Sequence, residues 1–431
     1  MSARIIRGRL LSFRDDPRLA GADAWRLIDD GAILVENGAI AMVGEASVIL
    51  KSAPPGAPID DHRGKLVLPG FIDAHIHYPQ TRVIGSYGAQ LLDWLNKYTF
   101  VEEQRFVDPA HSAVVARFFL DELFRQGTTT ACVYCTVHPA SVEAFFVEAE
   151  RRGARMIAGK AMMDRNAPPA LRDTAQSGYD ESKALIARWR GRGRLDYAIT
   201  PRFAVTSTEA QLEAAGALLR ENPQAYLQTH LDENLAEIEL VKRLFPGSKT
   251  YLGVYERFGL LGPRSIFGHC IHLEESELAS LARSRSVAAF CPTSNLFLGS
   301  GLFDKQRLDE AGARVALATD VGGGTSYSML ATAAEGYKVL QMNGQSWPAL
   351  QAFHQMTLGN ARALSLDGRI GRIEPGYEAD LVVLDSRATP AMAHRMESHD
   401  GDLEEELFAL IMMGDDRAVT QTYVAGVGVK R

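Results

Sequence analysis

Two histidines, one residue apart, follow an apolar run in the stretch GFIDAHIHYPQ at residues 70–80. Residues i and i+2 of a strand share a face, so His75 and His77 can bind one metal ion together. A lone strand histidine is more often a hydrogen-bonded core residue, so this interpretation needs further ligands. His230 and Asp320, near the ends of two later apolar runs, supply a third imidazole and a carboxylate. Three imidazoles and one carboxylate suit Zn²⁺, although Fe²⁺ would accept the same ligands.

Further polar and aromatic residues follow the predicted strands and could transfer protons or bind a substrate. They are Gln80, Arg202, Phe203, Glu233 and His269. A bound metal ion would lower the pKa of its water toward ~7, which makes hydroxide available at neutral pH. A nearby carboxylate could then act as general base and acid. The residue types therefore predict metal-assisted hydrolysis.

Eight short apolar runs recur between longer amphipathic segments. The runs are LVLPGFIDAHIH (66–77), TTTACVYCTVH (128–138), ARMIAGKAMMD (154–164), DYAITPRFAV (196–205), AYLQTHLDE (225–233), SIFGHCIHL (265–273), SVAAFCPTSN (286–295) and ARVALATDVGGG (313–324). Strands alternating with helices predict an α/β fold, a (β/α)8 TIM-type barrel. Periodicity alone would also fit a doubly wound sheet, but barrel enzymes place their sites at the carboxyl ends of the strands. The polar residues at those ends favour the barrel.

The amphipathic segments between the runs predict helices, among them residues 109–127 and 207–222. Ser207 or Thr208 can cap the second of these helices. A lysine that could bridge two metal ions is absent from the end of the fourth run, Thr200-Pro201-Arg202-Phe203. We therefore predict one metal ion.

Strand patterns near both ends of the chain predict a small second domain. The first ~65 residues have a β texture, with a hairpin signal at Asn37-Gly38. Strand texture returns after residue ~365, in GRIEPGYEADLVVLD (371–385) and VTQTYVAGVGVK (419–430). We expect residues 1–65 plus 366–431 to form a composite β-sandwich domain beside a catalytic barrel of residues 66–365.

Composition excludes several classes of function. The 431 residues are 46% hydrophobic and 23% charged, and the net charge of −7 includes no long basic run. Nucleic acid and anionic membranes are therefore unexpected partners. Neither a signal-peptide core nor an apolar span of roughly 18 residues occurs, which indicates a cytoplasmic location. Four cysteines do not make a disulfide framework, and Cys132 and Cys135 lie on opposite faces of a predicted strand as packing residues.

The chain resembles the amidohydrolase superfamily in PGFIDAHIH, in THLDEN around His230, in GHC (268–270) and in ATDV (318–321). Within it, the chain resembles the guanine deaminase family. That resemblance rests on HIHYPQ (75–80), LLDWLNKYTFVEEQRF (91–106), TPRFAVT (200–206), THLDENLAEIE (229–239) and ATDVGGG (318–324). Val101 departs from it, because many relatives have proline there. The resemblance covers essentially the whole chain.

The resemblance implies an enzyme that deaminates guanine to xanthine with one Zn²⁺, or Fe²⁺ as the alternative, held by His75, His77, His230 and Asp320. Gln80, Arg202, Phe203 and His230 would bind the purine. Asp320 would take a proton from the attacking water and Glu233 would protonate N3, while His269 would hydrogen-bond the attacking oxygen. A homodimer is also implied, and the length of the 81–106 segment permits a lid.

Two alternatives stay open. The first is a related aminohydrolase acting on another nucleobase, a nucleoside or a pterin, which would use the same metal chemistry. The second is a non-catalytic amidohydrolase-like scaffold. Such scaffolds have typically lost ligands, whereas every ligand position is filled here.

Overall fold

The computed structural model describes residues 3–88 and 90–430. The ends of the expected composite domain, residues 1, 2 and 431, and position 89 of the 81–106 segment lie outside the described residues. The strands of the described ranges are β1 (Ala3–Phe13), β2 (Trp25–Glu36), β3 (Ala39–Glu45), β4 (Ile59–Pro69), β5 (Phe71–His77), β6 (Thr128–Tyr134), β7 (Arg155–Gly159), β8 (Ala161–Met162), β9 (Leu195–Pro201), β10 (Tyr226–Leu231), β11 (Ser265–His269), β12 (Val287–Phe290), β13 (Arg314–Leu317), β14 (Leu381–Leu384), β15 (Val419–Val424) and β16 (Val427–Gly428).

Parallel strands form a barrel in the order β5-β6-β7-β9-β10-β11-β12-β13, with the short β8 beside β9. The backbone of Asp320 donates to His75 O at 2.9 Å, and that of His77 donates to Val321 O at 2.9 Å. These bonds join the residues after β13 to β5 and bring the first and last strands together. Each of the eight predicted runs overlaps one of these strands, and the barrel prediction is confirmed.

Side chains that alternate along the barrel strands belong to two different buried clusters. Ile72, Ala74 and Cys132 belong to a buried cluster that combines residues of the barrel strands with residues of the segment 361–370. Cys135 and Phe71 belong to the larger cluster that includes the surrounding helices. Successive side chains of a strand point to opposite faces, and this explains the division. Cys132 and Cys135 are free and buried in different clusters, as the sequence predicts.

The α-helices of the described ranges include those that alternate with the barrel strands and surround them, two of which lie in the predicted segments 109–127 and 207–222. They are α1 (Pro17–Ala20), α2 (Ala46–Ser52), α3 (Leu91–Trp94), α4 (Phe100–Glu103), α5 (Pro109–Arg125), α6 (Pro139–Arg151), α7 (Ala175–Trp189), α8 (Glu209–Glu221), α9 (Leu235–Leu244), α10 (Tyr251–Arg257), α11 (Glu275–Ser284), α12 (Pro292–Phe297), α13 (Lys305–Glu310), α14 (Met329–Met342), α15 (Ala349–His354), α16 (Asn360–Ala363), α17 (Pro390–Glu397) and α18 (Leu403–Met413). Thr208 caps α8 by accepting from the Gln211 backbone, which confirms one of the two expected caps. None of the helices in the described ranges is both long and apolar enough to cross a bilayer.

The terminal segments form one mixed sheet with the order β16-β15-β14-β4-β1-β2-β3. Asn37 and Gly38 have φ of 52° and 81°, as the predicted hairpin turn between β2 and β3 requires. Strand β4 pairs with β14 through Pro69, four residues beyond the predicted end of the first segment. The division at residues 65 and 366 remains a prediction. Helices α17 and α18 separate β14 from β15, a feature that the sequence reading does not include.

Candidate metal centre and substrate pocket

Four potential ligand atoms converge at the carboxyl ends of the barrel strands. His77 Nε2 lies 3.2 Å from His75 Nε2 and 3.3 Å from His230 Nε2. Asp320 Oδ1 lies 3.3 Å from His75 Nε2 and 3.2 Å from His77 Nε2. A tetrahedral Zn²⁺ with bonds of about 2.0–2.1 Å would set its ligand atoms about 3.3–3.4 Å apart. The spacing of these four side chains therefore fits one ion.

His269 also lies near this cluster. His75, His230, His269 and Asp320 each offer a ligand atom, and these atoms all lie within 4.8 Å of one another. His269 Nε2 is 3.9 Å from Asp320 Oδ2, which is longer than the contacts that His77 makes. His269 therefore lies next to the four converging atoms, and the ligand set of His75, His77, His230 and Asp320 stays a prediction.

The surroundings keep the imidazoles ready to bind a cation. His230 Nδ1 lies 2.6 Å from the carbonyl oxygen of Arg202, so Nδ1 carries the proton and Nε2 presents its lone pair. Burial lowers the pKa of His77 to about 3 and lowers the pKa of His230 well below its usual value. Neutral imidazoles are the forms that bind metal ions.

Asp320 is held in position by a second carboxylate behind it. Asp73 is fully buried and accepts hydrogen bonds from the backbone of His75 at 3.2 Å and that of Thr319 at 3.1 Å. It thereby joins the strand that carries His75 to the residue before Asp320. Burial alone would raise the pKa of Asp320, but hydrogen bonds from His75 and His77 outweigh it and hold the pKa well below its usual value.

The ring of His75 occupies space that only a glycine leaves free. The register of β10 and β11 pairs His230 with Gly268. A Cβ added at Gly268 would lie 2.6 Å from His75 Cε1 and 3.0 Å from Nδ1. On its other side, the ring packs on Tyr134 with centroids 4.7 Å apart. The GHC motif thus carries the residue that makes room for a predicted ligand.

We expect Gly268→Ala to weaken metal binding by about 10–100-fold, the range measured when side chains that orient metal ligands are changed. The new methyl group would displace the His75 ring from its position beside His77. Metal affinity is measured by competition with a chelator. Gly262→Ala is the matched control, since its Cβ would meet only Ser265 Oγ at 3.9 Å. Equal metal affinity of Gly268→Ala and Gly262→Ala would contradict this account.

A buried acid lies across from the ligands. Glu233 Oε2 is 3.3 Å from His269 Nε2, and Ser300 Oγ donates to Glu233 Oε1 at 3.2 Å. Burial, with the charge of Asp320 as a smaller contribution, raises the pKa of Glu233 to about 8. His269 Nδ1 lies 2.9 Å from Asn295 Oδ1, so Nε2 faces Glu233. Glu233 can therefore carry a proton next to the metal site at neutral pH.

A small pocket, referred to below as the cavity, adjoins this cluster. Eight of the nine predicted site residues line it: His77, Gln80, Arg202, Phe203, His230, Glu233, His269 and Asp320. His75, the ninth, is fully buried. The remaining wall is largely apolar and comes from Leu91, Trp94, Leu95 and Leu298. Such a mixture of apolar walls and few directed polar groups is typical of sites for small organic molecules.

Several residues that shape the site were missed by the sequence reading. Glu103 accepts hydrogen bonds from both Gln80 and Arg202, and Asp73, Asn295 and Ser300 hold other site residues as described above. Trp94, Leu95 and Glu103 belong to the quoted segment 91–106, which was a signal for their place at the site. Nothing in the sequence spacing indicated which groups Glu103, Asp73, Asn295 and Ser300 would contact.

Comparisons with known proteins identify the family of this chain. The model of the amidohydrolase family matches residues 66–429. Guanine deaminase of Escherichia coli (strain K12) is 48% identical over 405 residues, which cover 94% of this chain and 92% of that protein. The solved structure of E. coli guanine deaminase has a TM-score of 0.95 at 45% identity and covers 99% of both chains. Guanine deaminase of C. acetobutylicum, solved with guanine in its active site, has a TM-score of 0.87 at 29% identity, also over 99% of both. The chain therefore belongs to the amidohydrolase family of metal-dependent enzymes, and within it to the guanine deaminases.

Proposed function

We propose that this chain catalyses the hydrolytic deamination of guanine to xanthine and ammonia, the reaction of EC 3.5.4.3. The observation that carries the proposal is the shared cavity. It brings the converging imidazoles and Asp320, the buried acid Glu233 and the polar side chains Gln80 and Arg202 to one small space. The guanine bound by the relative from C. acetobutylicum supports the same substrate.

The cofactor of this proposal is one Zn²⁺ per subunit, with Fe²⁺ as the alternative. His75, His77, His230 and Asp320 would hold it, because their ligand atoms have the spacing described above. When bound, the ion lowers the pKa of water and so supplies hydroxide at neutral pH. The neutral imidazoles and the ionised Asp320 are the protonation states that such binding needs.

Three side chains handle protons in this proposal. Asp320 takes the proton of the attacking water at a carboxylate oxygen. Glu233 protonates N3 of the purine as C2 becomes tetrahedral, and it then helps to deliver a proton to the leaving amine. His269, which faces Glu233, hydrogen-bonds the attacking oxygen. All three side chains are buried, which limits the access of bulk water to these transfers.

The purine itself would be held by side chains from two strand ends and by His230. Gln80 and Arg202 hydrogen-bond its polar edge, and Phe203 contacts the ring or supports the strand end. Trp94 and Leu298 add apolar surface that suits a flat aromatic ring. This combination favours a planar heterocycle over a flexible substrate.

Three further inferences accompany this proposal. We infer a homodimer from the family resemblance. From the sequence patterns we infer a cytoplasmic location and a division into a composite unit of residues 1–65 plus 366–431 beside a catalytic unit of residues 66–365. The 81–106 segment, whose length permits a lid, supplies Leu91, Trp94 and Leu95 to the cavity wall. Light scattering of the purified chain measures the assembly.

The deciding experiment is incubation of the purified, metal-loaded chain with guanine, with xanthine and ammonia both measured. We expect equal amounts of the two products, and a chelator should abolish both because the hydroxide comes from the metal site. Cytosine, 8-oxoguanine, a thioadenosine and a pterin form the comparison panel. A strong preference for any of these over guanine would favour the alternative aminohydrolase, and no turnover of any would favour the scaffold.

A further inference from the structure

The carboxylate of Glu103 joins the two side chains that we propose to read the purine. Its Oε1 accepts a hydrogen bond from Gln80 Nε2 at 3.0 Å, and its Oε2 accepts one from Arg202 Nη1 at 2.6 Å. Only 1% of the Glu103 side chain and 4% of the Arg202 side chain are exposed. A buried carboxylate that accepts one hydrogen bond from each of two side chains holds both donors in a fixed geometry.

These three residues come from distant parts of the chain. Gln80 follows the first barrel strand, Arg202 follows β9, and Glu103 ends the short helix α4. Phe100, one turn before Glu103, lies under the guanidinium, with Arg202 Cζ 5.5 Å from the ring centroid. The 91–106 segment therefore supplies two contacts that limit the rotation of Arg202.

The chemistry of a carboxylate decides which end of the Gln80 amide enters the cavity. An ionised carboxylate accepts hydrogen bonds and donates none, so it selects the NH₂ end of the amide. Gln80 Oε1 is thereby turned away from Glu103, and no described residue donates to it. Arg202 keeps further N–H donors for the cavity that both residues line. The pocket consequently presents an acceptor from Gln80 beside donors from Arg202.

We propose that Glu103 is a positioning residue that sets the selectivity of the site for 6-oxopurines, an inference that rests on the proposed function. Guanine carries the N1–H donor next to the O6 acceptor, which complements the acceptor of Gln80 and the donors of Arg202. A 6-aminopurine carries an acceptor at N1 next to a donor at C6, the reverse arrangement. Sites that hydrogen-bond such groups discriminate strongly, since a mismatch leaves buried polar groups unpaired.

The test compares guanine with 2,6-diaminopurine. This purine has the same 2-amino group, but the donor and acceptor at N1 and C6 are reversed. Xanthine formation from the first substrate and isoguanine formation from the second are followed chromatographically. For the unaltered chain we expect a preference in kcat/KM for guanine of at least about 10³.

In Glu103→Gln, the new amide both donates and accepts hydrogen bonds, so the Gln80 amide is free to rotate by 180°. We expect the preference to fall by at least about tenfold and the KM for guanine to rise about tenfold, while kcat changes less than about threefold.

Glu102→Gln is the matched control, because the neighbouring Glu102 pairs with Arg105 at 3.0 Å and does not line the cavity. We expect its preference to equal that of the unaltered chain. Glu103→Asp provides a second variant if Glu103→Gln does not fold. It keeps the charge but is one methylene too short to bridge both donors, so its preference should also fall. Metal content and melting temperature are measured for each variant.

The outcomes separate the two proposals. A preference within about twofold of the unaltered chain in a folded, metal-loaded Glu103→Gln or Glu103→Asp overturns the selectivity role. The same holds if kcat falls equally for both substrates at an unchanged preference, which would be a structural effect alone. If the unaltered, metal-loaded chain releases no ammonia from guanine, the proposed function itself fails.

Discussion

Glu233→Gln is expected to lower kcat by about 10²–10⁴-fold, the usual contribution of general acid–base catalysis. Glutamine has nearly the same shape and can keep the hydrogen bond from Ser300, but its amide can neither protonate N3 of the purine nor deliver a proton to the leaving amine. Because Glu233 is not among the predicted ligands, the variant should still bind one equivalent of metal. Steady-state kinetics with guanine and elemental analysis of the same preparation measure both quantities.

Glu239→Gln is the control for this substitution. Glu239 lies on α9 with 62% of its side chain exposed and pairs with Lys242 at the surface. Its loss should leave turnover unchanged, since surface ion pairs contribute little. Turnover of Glu233→Gln near that of Glu239→Gln would show that another group transfers the proton.

His75→Ala is expected to remove the bound metal and, with it, guanine turnover. Changes to residues that only orient a ligand already weaken metal binding by about 10–100-fold, so the loss of a ligand should exceed that range. The alanine would also leave an empty space between Gly268 and Tyr134, where the imidazole now packs. Metal content after dialysis against a weak chelator is the measurement.

The exposed histidine of α17 supplies the comparison. The His394 side chain is 86% exposed and contacts Glu397, so His394→Ala should retain its metal and activity. Circular dichroism of both variants shows whether the barrel is intact. One full equivalent of metal in folded His75→Ala would reject His75 as a ligand.

Glu237 supports the position of Glu233 through hydrogen bonds to nearby residues of the chain. Its Oε2 accepts from the backbone of Glu233 at 3.1 Å and from that of Asn234 at 3.2 Å, and Tyr251 donates to Oε1 at 2.8 Å. This is the capping box of α9, a signal carried by the stretch DENLAEIE alone. The cap holds the start of α9, and Glu233 lies directly before that start.

Local patterns were enough to predict the eight barrel strands, helices α5 and α8, and the hairpin at Asn37-Gly38. These features depend on residues close together in the chain, where periodicity, caps and turn residues act directly. The H-x-H spacing likewise places His75 and His77 on one face before any fold is known. The nine candidate site residues followed from these patterns together with the family resemblance.

Contacts between distant residues were decided only by the tertiary structure. Glu103 lies 99 residues from Arg202 in the chain, and Asp73 lies 246 residues from Thr319. An isolated glutamate or aspartate has no periodicity that names its partner, so its role appears only when barrel closure brings the strand ends together. Helices α17 and α18 interrupt the expected C-terminal strand region for a related reason. Helix α18 packs on α14 and α15, and α17 packs on α18; such packing is not visible in a local window.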